Sequence, residues 1–173
     1  MRRSILPVLA LASLVPSTAR SQDPGEIRAE VAQAAESFVD AFNDLDWDRF
    51  EEAWAENATA FMPVPDFPAR LDGRDTIVST MQSIFADFPD RFEGPPYLTI
   101  DPVDLRIDVV GTAAIVTFHL GDEAPRNRRT LVFVRQGEAW WIAHLHASRP
   151  PPRSDSRSAS DPVGPMPAPI SEE

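Results

Sequence analysis

Cysteine is absent from this 173-residue chain, which excludes disulfides, thiolate nucleophiles, cysteine-ligated zinc, iron–sulfur clusters and a lipid anchor on an N-terminal cysteine. Lysine is absent as well, so all 16 basic residues are arginine. Schiff-base chemistry and a Walker-type phosphate loop each need a lysine amine, and both are excluded. Tyrosine occurs once, at Tyr97, and histidine three times, at His119, His144 and His146. Acid–base work would have to come from these groups, from hydroxyls or from carboxylates.

Positive charge is scarce. The formal net charge is −11, and loss of Arg2, Arg3 and Arg20 with a leader would make it three units more negative. Phosphate backbones and anionic headgroups are bound by exposed cations, so no nucleic-acid partner is expected, and no membrane partner after processing. Length and the 43% apolar content suit one domain with one core.

The ends differ from the middle. Arg2-Arg3 precedes an apolar run from Ile5 to Val15 that is too short to span a bilayer, and small residues at Ser17, Ala19 and Ser21 offer cleavage before Arg20 or Gln22. Residues 1–21 therefore read as a signal peptide, of general secretory or twin-arginine type, and the mature protein is expected to be periplasmic or secreted. From Pro150 to Glu173 prolines and serines replace apolar residues, which predicts a disordered tail. The domain lies between, over residues 25–149.

Ile27, Val31, Ala34, Ala35, Phe38, Ala41, Phe42 and Leu45 fall at helical spacing. A second helix is predicted from an Asp46 cap, burying Trp47, Phe50, Ala53 and Trp54, and a third from about Gly73 to Phe88, ended by Pro89. A short strand covers 58–64. Four segments rich in β-branched and aromatic residues follow, at 98–110, 113–121, 128–136 and 139–148, with turns at Gly111-Thr112 and Gly137-Glu138. The expected fold class is α+β: three N-terminal helices on a strongly curved antiparallel sheet, forming a cone with a cavity.

The last two strands, Arg128-Arg129-Thr130-Leu131-Val132-Phe133-Val134-Arg135 and Trp140-Trp141-Ile142-Ala143-His144-Leu145-His146-Ala147-Ser148, resemble the closing hairpin of the SnoaL-like branch of the nuclear transport factor 2 superfamily. The Trp-x-x-x-His-x-His-x-Ser ending is also similar to the association domain of calcium/calmodulin-dependent protein kinase II. Phe38-Val39-Asp40-Ala41-Phe42-Asn43, Asn57-Ala58-Thr59-Ala60-Phe61 and Gly73-Arg74-Asp75-Thr76-Ile77 fit the same pattern in the same order. The resemblance implies a cone fold and a homodimer. It does not choose an activity, because the superfamily holds isomerases, cyclases, dehydratases, hydrolases and members without chemistry.

Strict alternation along the last strand would set Trp140, Ile142, His144, His146 and Ser148 on one face, as a cavity lining, and Trp141, Ala143, Leu145 and Ala147 on the other, as a subunit contact. The hairpin register then brings Arg129 and Leu131 beside the histidines, whereas a one-residue bulge would bring Arg128 and Thr130 instead. Phe38, Phe42 and Trp54 are core residues that could also wall the cavity. His144 and His146 admit three roles: polar lining, general base, or metal ligand, the last lacking a third donor. No metal and no cofactor is expected. Isomerase chemistry of the ketosteroid type uses a carboxylate base with a tyrosine and a protonated acid in the oxyanion hole. Here Asp40 falls on a polar helix face, Asp46 caps a helix, and Tyr97 opens a strand. The leading expectation is an exported protein binding a small, largely apolar molecule. The alternatives are an isomerase or cyclase-like lyase using a pocket histidine as general base, and a homo-oligomeric assembly module.

Overall fold

The computed structural model describes residues 23–63, 69–121 and 127–149. The leader, the Pro-rich tail and the loop at residues 64–68 lie outside the described residues.

Helix α1 (Pro24–Asn43) starts with Pro24 in its first turn, where a missing N–H costs nothing, and buries Val31, Ala35, Phe38, Val39 and Ala41. Helix α2 (Trp47–Glu52) is capped as its sequence suggests: the Asp46 carboxylate accepts from the Arg49 backbone N–H at 3.2 Å. The chain then enters strand β1 (Trp54–Phe61), so Trp54 belongs to the sheet and not to the helix. After the two-residue β2 (Leu71–Asp72) comes α3 (Arg74–Ile84). It stops earlier than the periodicity predicts. Pro89 does not end it but sits in the first turn of a separate short helix, α4 (Phe88–Arg91), the position a proline tolerates.

Strands β3 (Pro102–Val110), β4 (Ala113–Leu120), β5 (Asn127–Gln136) and β6 (Ala139–Ser148) form an antiparallel meander. The β5–β6 turn puts Gly137 at φ 66°, the positive φ that primed hairpin turns require and that glycine adopts without strain. The sheet order is β2-β1-β6-β5-β4-β3, and β1 joins β6 in parallel, so the sheet is mixed and not wholly antiparallel. A parallel neighbour needs a long crossover, and the entire stretch from α3 to β5 supplies it. The architecture is otherwise the expected one: helices packed on one face of an open, curved six-stranded sheet.

Two register breaks lie side by side. Pairing of β5 with β6 shifts between Val132 and Phe133, leaving Ala143 without a partner, and pairing of β1 with β6 shifts between Trp54 and Thr59. An extra residue bends and twists a strand. Adjacent breaks in neighbouring strands therefore fold the sheet over α1. The core inside that fold is aromatic. Phe38 lies 5.3 Å from Phe50 and 5.7 Å from Trp54 between ring centroids, with Trp54, Phe133, Leu131 and Ile142 essentially without solvent contact. Burying each such side chain contributes about 1.5–3 kcal/mol.

A candidate ligand cavity

The bulge at Ala143 decides which side chains face the helices. Before it, Trp140 and Ile142 point inward; after it, Leu145 and Ala147 do, while His144, half-buried, and His146, exposed, lie on the outer face. The shared face expected for Trp140 through Ser148 is thus broken midway, because an unpaired residue shifts alternation by one. The register is the bulged alternative: Val132 opposes His144, Thr130 opposes His146 and Arg128 opposes Ser148, all outside. Arg129 opposes Ala147, inside.

Between α1, α3 and the inner sheet face is a cavity of about 270 Å³ lined by Phe42, Met62, Pro63, Met81, Ile84, Phe85, Leu98, Ile100, Leu120, Arg129, Leu145 and Ala147. Eleven of these twelve are apolar, and Arg129 is the one charged group. Phe42 meets Phe85 edge to face at 5.2 Å, closing one wall. Leu98 and Ile100 belong to the irregular stretch before β3. That stretch is held by the end of α1, where the Asn43 carbonyl accepts from Tyr97 N at 2.8 Å and Leu98 N at 3.0 Å. Asn43 Nδ2 also donates to the Ile100 carbonyl at 3.1 Å.

The cavity contains two of the residues expected at a site, Phe42 and Arg129. Phe38 and Trp140 line a different cleft, of about 310 Å³, with Ala34, Ser37, Arg49 and Ala53, and Trp140 Nε1 donates to Glu30 Oε2 at 3.1 Å. Trp54 and Ile142 are buried core. His144 Nδ1 is 2.7 Å from Thr59 Oγ1, and Phe61 packs against both histidine rings at 5.7 and 6.0 Å. Partial burial, then His146 and Arg70, push the His144 pKa below its ordinary value. His119 lies on the outer face too, 3.6 Å from Asp104. Among the described residues no cluster of three or more His, Asp or Glu could hold a metal.

Sequence reasoning missed Met62, Pro63, Met81, Ile84, Phe85, Leu98, Ile100, Leu120, Leu145 and Ala147 as lining residues. For three of them a signal existed, the helical periodicity of 77–85, which places Met81, Ile84 and Phe85 on the face turned to the sheet. The β6 residues were assigned to the opposite face by the alternation that the bulge interrupts.

A family model described as a SnoaL-like domain matches residues 31–152. The chain belongs to that family. Solved structures agree on the fold: a nuclear transport factor 2-like protein of unknown function from Pseudomonas putida KT2440 superposes with a TM-score of 0.60 at 20% identity, covering 73% of this chain and 88% of that one. A candidate dehydratase of the same fold family from Streptomyces avermitilis gives 0.59 at 20% identity, covering 72% and 97%. The association domain of the C. elegans calcium/calmodulin-dependent protein kinase II gives 0.54 at 13% identity, covering 72% and 97%. No curated protein sequence matches the chain. At these identities the structural likeness speaks for the fold alone. SnoaL-like membership leaves the activity to be argued from the cavity.

Proposed function

We propose that this SnoaL-like protein is exported and binds a small, largely apolar molecule in the cavity beneath α1 and α3. The observation that carries the reading is the lining itself: eleven apolar side chains and one cation around about 270 Å³. That is just under the usual range for drug-sized ligands, about 300–1,000 Å³, and apolar walls with few convergent polar groups are what small-molecule sites have. Binding is favoured over catalysis because, among the described lining residues, no carboxylate, imidazole or hydroxyl faces the cavity to move a proton. A general base at His144 or His146 would have to act on the outer face.

The outer face supports a homodimer. Phe61 and Ile115 are 37% and 38% exposed there, with Trp141, Val132 and Val134 half-buried beside them and no helix of the described residues above. This surface replaces the contact expected from Trp141, Ala143, Leu145 and Ala147, since Leu145 and Ala147 face inward.

Native mass spectrometry of protein purified from its own envelope fraction tests the binding reading. An adduct on the wild-type protein that is missing from Ala147→Phe, whose ring would occupy the cavity, is the expected result. Identical spectra for the two proteins, together with no binding of apolar probes to the wild type, would refute it.

A further inference from the structure

Three arginines are half-buried among the described residues: Arg74, Arg129 and Arg135. Arg74 Nε lies 3.4 Å from Glu51, and Arg135 Nη1 lies 3.6 Å from Glu30. Arg129 has no such partner among the described residues, where its side chain makes one hydrogen bond, from Nη1 to the Arg128 carbonyl at 2.8 Å. The chain has 27 acidic residues for 16 arginines, so an arginine drawn inward without a carboxylate among the described residues is not explained by a shortage of acids.

Its surroundings sharpen the point. On the inner sheet face Arg129 sits between Phe118 and Ala147, both buried, and shares the cavity with Leu120, Leu145, Met62 and Phe42. Ala147 is the smallest side chain of that wall. Burial, and secondarily the charge of Arg149, lower the Arg129 pKa from its ordinary value, although an arginine stays protonated throughout the physiological range. The cavity thus carries a fixed positive charge whose nearest companions are apolar or also positive.

We propose that the cavity takes an organic monoanion, a carboxylate on a small apolar chain or ring, whose carboxylate pairs with the Arg129 guanidinium while its body lies against Phe42, Met81, Phe85 and Leu145. This rests on the binding reading above and narrows it to a ligand class. A planar guanidinium matches a carboxylate with two parallel hydrogen bonds, and in an apolar niche such a pair discriminates strongly against neutral and cationic analogues. An anion bound there would supply the carboxylate that Arg129 lacks among the described residues.

The test uses three probes of one length, octanoate, octan-1-ol and octylamine, titrated calorimetrically into the purified protein at pH 7.5. Octanoate should bind at least ten-fold more tightly than octan-1-ol, and octylamine more weakly than either. In Arg129→Met the octanoate preference should vanish while octan-1-ol binding survives, and the ligand-free variant should melt no lower than the wild type because an unpaired charge is gone. Arg129→Lys should keep part of the preference, and Arg128→Gln, on the outer face, all of it. Equal binding of octanoate and octan-1-ol by the wild type would overturn the anion proposal and leave the apolar cavity reading standing. Failure of both to bind would sink both. An octanoate preference that persists in Arg129→Met, or that disappears in Arg128→Gln, would move the anion elsewhere and overturn the assignment. Should Arg129→Met not fold, the wild-type preference and its reduction in Arg129→Lys decide the question.

Discussion

Asn43 holds Ile100 by both ends of its side-chain amide: Oδ1 accepts from the Ile100 N–H at 2.7 Å and Nδ2 donates to the Ile100 carbonyl at 3.1 Å. The amide imitates a strand neighbour for a segment that has none. It fixes Ile100, one wall of the cavity, to the last residue of α1, whose main-chain carbonyl holds Leu98 beside it. Asn43→Ala removes both bonds and leaves partly buried groups unpaired, at a cost of about 1–3 kcal/mol. Urea unfolding should report a lower midpoint with little change in slope, and apolar probes should bind more weakly. Asn43→Asp, which keeps the acceptor and loses the donor, should fall between the two.

Filling the cavity should separate stability from binding. Ala147→Leu adds apolar volume to a lined space and not to a packed core, so its melting temperature should equal or exceed that of the wild type, while affinity for any apolar probe drops at least ten-fold. A loss of stability with unchanged binding would place the ligand outside this cavity.

Trp141 offers the sharpest test of self-association. It stands on the outer sheet face opposite Val134, and no helix among the described residues covers that surface. Light scattering of the purified protein should give twice the chain mass, and Trp141→Glu should give the chain mass alone with the fold intact by circular dichroism. A wild type that stays monomeric at high micromolar concentration would refute the dimer.

His144 should make stability depend on pH. Its folded pKa lies below the unfolded value near 6.5, so the unfolded chain takes up the proton first. The contribution is complete above about pH 6.5 and is lost as pH falls through the window below it. Subtracting the pH profile of His144→Gln from that of the wild type isolates this effect. The difference should grow more unfavourable to the wild type on acidification, and a flat difference between pH 7.5 and 5 would contradict the direction of the shift.

Most of the fold could be read in advance because its signals are local. The α1 stripe, the Asp46 cap and the glycine turns each depend on residues within a few positions, and each forms where expected. The site was less legible. Periodicity along β6 carries a hidden assumption of unbroken pairing, and a single unpaired residue, Ala143, reverses the assignment of every side chain after it. Nothing in Ile142-Ala143-His144 marks a bulge, since the residue left over is an ordinary alanine. The break is imposed from outside, by the need to match β5 on one side and β1 on the other. The parallel pairing of β1 with β6 was equally non-local. Arg129 was recognisable as a candidate but not as one without an acidic partner among the described residues, because pairing depends on which acids the fold brings near.

The paired register breaks at Ala143 and beside Trp54 have a consequence for how such a chain could diversify. The bend that hollows the sheet is made by main-chain geometry, so the frame does not depend on which side chains point into the space it encloses. Positions such as Met81, Leu120 and Ala147 are therefore open to exchange, and with Arg129 they behave as an interchangeable lining inside a fixed shell. A change of cargo would need new upholstery and no new architecture.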